Sequence, residues 1–386
     1  ITFEGDTVTL KTDKAYAPSF VYNCLTAGVA NIVDMKTVMA NEVEGDMGNA
    51  WLKANSAGTG AYVLKSFKPN EGYVLEARQG HWRGDAKIKN VFMQHIPEGA
   101  TERLLLEKGD IDIARELTPT DLEGLAGNAD VKIQGDVGGQ VYYLALNQKK
   151  AELANPKVQE AMRWAIDYTG MQDSILKGLW VVHQNFLPKG FLGSIDENPY
   201  SLDIEKAKAL MAESGLTLPI EIGFTVRNNQ ERMDIATSIQ NTFAQIGINL
   251  VLDVGDGKQG LETYRGRKHD ITLQTWGPDY PDPHTNASTF ALNPDNSDEA
   301  NATGYLAWRT AWDPGADLNA ETSAAVEEKD SAKRAEMYAD IQRKVRDNSA
   351  FVLMFQQARQ DAMRANVTGF YAGGATDSAT YWTISK

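Results

Sequence analysis

Apolar and polar positions alternate with period two through much of the first hundred residues. "DTVTLKT" (6–12), "AYVLKSF" (61–67), "GYVLEARQ" (72–79) and "KNVFMQHIP" (89–97) send successive side chains to opposite faces and are separated by Gly, Pro and Asn. Residues 1–97 therefore read mostly as strands and turns. The period then lengthens. "TERLLLEKG" (101–109) predicts a short helix ending at Gly109, and "TPTDLEGLAG" (118–127) predicts another. After the apolar run "VYYLALN" (141–147), Asn155 before Pro156 marks a helix start, and Val158, Met162, Ala165 and Ile166 share one face of "PKVQEAMRWAID". Further on, "PIEIGFTV" (219–226) reads as a strand. "ERMDIATSIQNTFAQIG" reads as a helix with Ile235, Ile239, Phe243 and Ile246 on one side and Gly247 as its stop, and "INLVLDV" (248–254) reads as the next strand. A helical piece near "GLETYRGRK" precedes the strand "DITLQTW" (270–276). Strand–helix–strand–helix–strand predicts right-handed crossovers and a parallel sheet, hence an α/β fold. A polar Asn/Asp-rich loop (293–304), a long helix around "SAKRAEMYADIQRKVRDN" and an apolar strand "AFVLMFQQ" (350–357) follow, and no internal repeat is visible.

The totals narrow the classes. At 386 residues the chain suggests about two domains. No apolar run approaches the roughly 20 residues that span a bilayer. A net charge of −14 with no basic stripe argues against nucleic acid and leaves a small ligand or a protein partner. The one cysteine, Cys24, forms no intrachain disulfide and reads as a half-buried thiol. "ITFEGDTVTLKT" at the start reads as a strand pattern, so a signal peptide is not expected within this sequence.

Several constellations invite chemistry. "GDGKQG" (255–260) matches a dinucleotide fingerprint after a strand and before a helix, but Asp256 would oppose a pyrophosphate, so an ordinary Gly-rich turn is the plainer reading. His81, His95, His183, His269 and His284 are scattered with no helical pair, which gives no metal site from one helix. A metal at His284 with Asp282 and Asp279, or calcium in the loop 293–304, would be the alternatives. No serine-hydrolase, zinc-protease or phosphate-loop signature occurs. Topology offers a different pairing. Arg227 follows the strand ending at Val226 and Asp279 follows the strand ending at Trp276, so both stand at the carboxyl-terminal edge of a parallel sheet, where open α/β sheets bind ligands. A guanidinium for a carboxylate and a carboxylate for an ammonium would grip a zwitterion. The plain alternative is that the two pair with each other or face water. Trp276 and Tyr280 are either packing residues or an apolar wall for the ligand.

Taken together, "GTGAYVLKSFKPNEGYVLEARQGHWRGDAKIKNVFMQHIPEGATERLLLEKGDIDIA" (58–114), "YLALNQKKAELANPKVQEAMRWAID" (143–167), "NPYSLDIEKAKALMAESGL" (198–216) and "WGPDYPDP" resemble the solute-binding proteins of ABC importers. The resemblance is to the large oligopeptide/dipeptide/nickel-binding family (family 5, cluster C type), and runs over nearly the whole chain in order. It implies a two-lobed periplasmic-binding-protein, or Venus-flytrap, fold: a first lobe of 1–147 plus 352–386, a second of 148–351, and hinge strands near "LALNQ" and "VLMFQQ". It implies no catalysis, no cofactor and no metal. The expected ligand is a small peptide or related zwitterion held between the lobes, and the expected partner is the membrane permease of an ABC transporter. A monomer is expected, in the periplasm or on the outer face of the cytoplasmic membrane as a lipoprotein. In the family's peptide binders an aspartate of the "W-x-x-D-Y-x-[DE]-P" segment, matching Asp279, holds the ligand ammonium, and an arginine matching Arg227 holds the carboxylate. Trp276 and Tyr280 would line the ligand. The family's longer leading segment has no counterpart before "DTVTLKT", so the chain reads as incomplete at the start of its first lobe. The family also contains oligosaccharide and opine binders, which a tryptophan such as Trp276 suits as well. From another class, a nucleotide-dependent α/β enzyme using "GDGKQG" is the rival.

Overall fold

The computed structural model describes residues 1–374 and 378–386. Its contacts divide the chain into two compact units, Ile1–Cys24 with Val137–Ala358, and Leu25–Asp136 with Arg359–Lys386. The chain passes from one unit to the other three times, after Cys24 and inside two long strands, β1 (Val131–Leu146) and β6 (Phe351–Arg364).

In the larger unit the sheet runs β4–β3–β5–β1–β6, where β3 is Ile220–Arg227, β4 is Ile248–Gly255 and β5 is Ile271–Trp276; β2 (Trp180–Val182) pairs with β6. As the strand–helix alternation predicts, β3 is parallel to β4 and to β5, with Ile248 opposite Ile220 and Ile271 opposite Phe224. β5 then runs antiparallel to β1, Trp276 standing opposite Val141. Helix α2 (Gln230–Gln245) makes the crossover from β3 to β4. Its face of Ile235, Ile239, Phe243 and Ile246 is buried, because these positions recur every three or four residues and meet Ile222, Phe224, Ile248 and Leu250 of the sheet. Gly247 ends the turn at φ 81°, a left-handed conformation that a side chain would strain. The predicted face Val158, Met162, Ala165 and Ile166 is likewise fully buried, and the helix Pro156–Trp164 starts where Asn155 accepts the Lys157 N–H.

The segment 1–24, expected with the first lobe, groups with the larger unit. The backbone N–H of Ala17 donates to Val326 O at 2.9 Å, and helix α1 (Pro18–Cys24) lays Phe20 edge-on against Tyr280 and His284. The smaller unit is built on an antiparallel three-stranded sheet of Tyr62–Lys68, Gly72–Ala77 and Asn90–Gln94. Helices Gly99–Lys108 and Pro119–Leu125 follow, and Gly109 closes the first at φ 81°. Met363, Val367, Phe370, Ala372 and Ile384 form a small core there. Residues 1–97 are not all strand and turn: Pro18–Cys24, Met35–Met39 and Asn49–Leu52 are short helices, too brief to show a helical period.

Candidate functional site

The carboxyl-terminal edge of the parallel strands in the larger unit is where the singled-out residues collect. Arg227 is the last residue of β3, and Asp279 lies three residues past the end of β5, its neighbour in the sheet. Both are exposed, and among the described residues neither the guanidinium nor the carboxylate makes a hydrogen bond or an ion pair. Their parallel-strand order places both at this sheet edge, and of the plain alternative only mutual pairing is absent, since both side chains face water. Trp276 and Tyr280, close to Asp279 in sequence, are half-buried. The indole Nε1 of Trp276 is buried with no acceptor among the described residues.

Surrounding contacts hold this edge in place. From the first turn of α2, Arg232 donates to Leu273 O (3.2 Å) and to Thr275 Oγ1 (3.1 Å), which ties the helix start to β5. Glu231 beside it accepts from the Tyr142 hydroxyl (2.7 Å) and the Trp180 indole (3.2 Å). Asn229 caps α2 through the Arg232 N–H. The side chain of Arg227 lies across the start of helix α3 (Gly257–Arg265): a Cβ on Gly257 would stand 3.0 Å from its Nε, so glycine there admits the close approach.

That same turn is the "GDGKQG" motif. Asp256 is the cap of α3, its carboxylate accepting the Gln259 N–H at 2.8 Å, so the donor an anion would seek is already engaged by an anion of the chain. The motif is thus an ordinary βα turn, in which Gly257 admits the Arg227 side chain.

Past Asp279 the chain is fastened. Asp282 and Arg334 of helix α5 (Ser331–Asn348) form a two-pronged ion pair with N–O distances of 2.8 and 2.9 Å, both side chains withdrawn from solvent at 0% and 2% exposure. Burial works against the Arg334 charge, but the Asp282 carboxylate overcomes it and holds the guanidinium above its ordinary pKa. Burial pushes the Tyr280 phenol up, so it stays protonated, and pulls His284 down to about 4, so it is neutral near pH 7. His284 Nδ1 meets the Tyr338 hydroxyl at 3.2 Å. Asp282 is committed to Arg334, and among the described residues no group of three His, Cys, Asp or Glu side chains could hold a metal ion. In the acidic loop 293–304, Asp298 is taken by Lys149 (2.7 Å) and Arg267 (2.7 Å) rather than left for calcium.

The sequence reading did not find the residues that brace this segment: Phe20, Asn23, Thr285 and Arg334. Arg334 lies in a helix so rich in charge that no pattern marks it as the buried member.

Comparison with known proteins extends beyond the site. Residues 4–298 match the family described as bacterial extracellular solute-binding proteins, family 5 Middle. The chain is 28% identical over 370 residues to the probable D,D-dipeptide-binding periplasmic protein DdpA of Escherichia coli (strain K12), covering 94% of this chain and 68% of that protein. It is 24% identical over 331 residues to the dipeptide-binding protein of the same organism, covering 83% of this chain and 59% of the relative. In fold it is similar to the ABC transporter-associated periplasmic binding protein DppA from Helicobacter pylori, solved in complex with peptide STSA. The TM-score is 0.83 at 20% identity, covering 96% of this chain and 70% of that one.

Proposed function

This chain belongs to the bacterial extracellular solute-binding proteins of family 5, which are binding proteins for transport and not enzymes, and on that premise we propose that it captures a small peptide or a related zwitterionic solute. Asp279 receives the solute's ammonium and Arg227 its carboxylate, while Trp276 and Tyr280 supply an apolar wall. The observation that carries this reading is the presence of two unpaired, opposite charges at one edge of a parallel sheet, one at the end of β3 and one just past the end of its neighbour β5. A zwitterion neutralises both at once, and a dipeptide, at about 3.5 Å per residue, separates its charges enough to reach two strands. Relatives that carry peptide names support the same class of solute. The captured solute is handed to the permease of an ABC transporter, outside the cytoplasm, by a monomeric protein either free in the periplasm or lipid-anchored.

A second reading rests on Trp276, whose half-buried ring suits the face of a sugar or an opine. One thermal-shift panel separates the readings. Dipeptides and tripeptides are expected to raise the melting temperature, and sugars, opines, NAD and ATP are expected to leave it unchanged. A shift with sugars or opines and none with peptides overturns the peptide reading.

A further inference from the structure

Asp279 sits on a short connection that leaves its carboxylate bare while the backbone and side chains that follow it are fastened. The connection between β5 and helix α4 (His284–Ala291) is anchored at four places. Asp279 donates its own backbone N–H to Thr285 Oγ1 at 3.2 Å. The Pro281 carbonyl accepts from Asn23 Nδ2 of α1 at 2.9 Å. Asp282 donates its N–H to Tyr280 O at 2.8 Å, and its carboxylate accepts the His284 N–H at 2.9 Å. That carboxylate is in turn clamped by both terminal nitrogens of Arg334, whose Nε donates to Ala325 O (3.0 Å) and whose Nη1 also reaches Ser19 Oγ (3.2 Å).

We infer that Arg334 is a positioning residue for Asp279. Through its buried pair with Asp282 it fixes the 279–285 segment, so that the Asp279 carboxylate is presented without a partner of its own and a cationic ligand group meets it already in place. The inference rests on the reading of Asp279 as the ammonium acceptor. Its physical content is preorganisation: a carboxylate held by its backbone loses little freedom when the ligand arrives, whereas one on a loose connection must be ordered by the ligand itself. Arg334 reaches three separate parts of the larger unit, α1, the Ala325 carbonyl and Asp282, and so holds the segment from behind rather than touching the solute.

The test compares two probes, the dipeptide Ala-Phe and N-acetyl-Ala-Phe, which differ at the ammonium. The full chain is expected to bind the free-amine form roughly thirty-fold or more tightly than the acetylated form. Because Arg334→Met alone would strand a buried carboxylate, the variant used is Arg334→Met combined with Asp282→Asn, with Thr285→Val as a second variant that keeps the ion pair and removes only the acceptor for the Asp279 N–H. In each folded variant the preference for the free amine is expected to shrink several-fold, while the affinity for N-acetyl-Ala-Phe stays near that of the parent. A preference that survives intact in the folded Arg334→Met/Asp282→Asn variant, whatever Thr285→Val does, or affinities for both probes that fall together, overturns the positioning role. Absence of any preference in the parent chain overturns the reading of Asp279 itself, and the inference with it.

Discussion

At the scale of single residues, the unpaired groups are the informative ones, and they divide into two kinds. Asp279 and Arg227 are exposed and unpaired where a ligand can reach them; His269 is unpaired where nothing can. Its ring is buried at 3% exposure, neither nitrogen has a hydrogen-bond partner among the described residues, and Tyr264 packs edge-on against it at 5.0 Å. Burial lowers its pKa from 6.5 to about 4. The sign of the consequence is fixed: between those values the unfolded chain takes up the proton and the folded chain does not, so stability present above pH 6.5 is lost as pH falls toward 4. His269→Phe, which keeps a ring against Tyr264, is expected to remove this liability and to gain about 2 kcal/mol over the parent near pH 4.5, with little pH-dependent gain at pH 8. Urea unfolding at both pH values checks it; a gain independent of pH would show that packing and not protonation is responsible. The candidate charges were legible in the sequence because each lies at or shortly past the end of an apolar strand, and strand ends are readable. The bracing residues were not, since Thr285 and Asn23 are ordinary polar residues until the fold brings them to Asp279 and Pro281.

At the scale of elements, regular periodicity was the reliable signal. Helix Ser331–Asn348 coincides with the stretch read from sequence, and the buried face of α2 is the one its spacing defines. Ile239, fully buried on that face, tests how much of the crossover rests on packing. Ile239→Ala is expected to lower stability by about 2–5 kcal/mol, measured as a shift of the urea midpoint with unchanged slope. An effect below about 1 kcal/mol would mean that the face is not packed as described. The two longest strands were read too short. β1 begins at Val131, ten residues before its apolar run, because "VKIQGDVGGQ" is glycine-rich and polar. β6 extends to Arg364 through "ARQDAMR", whose charges are accommodated by the Arg359–Asp361 pair at 3.0 Å. In both, hydrogen-bonded backbone continues where hydrophobic alternation has stopped, and a pattern of side chains does not report that.

At the scale of the whole molecule, two compact units share one chain, and the residues expected to bind solute all lie in the larger. Three buried histidines of that unit, His183, His269 and His284, each have a pKa lowered by burial to about 4. Its melting temperature is therefore expected to fall as pH drops from 6.5 toward 4, which a pH series of calorimetric scans reads directly. The family-model match over residues 4–298 carries the family, whereas relatives at 28% and 24% identity, of which this chain covers 68% and 59%, do not carry the solute. The central claim is thus that a charge pair on one sheet edge selects a zwitterion. Calorimetric titration of Ala-Phe into the parent chain and into Asp279→Ala tests it most directly. Saturable binding by the parent and a weakening of about 2–5 kcal/mol in the variant are expected; equal affinity in the two would mean that Asp279 does not hold the solute's ammonium.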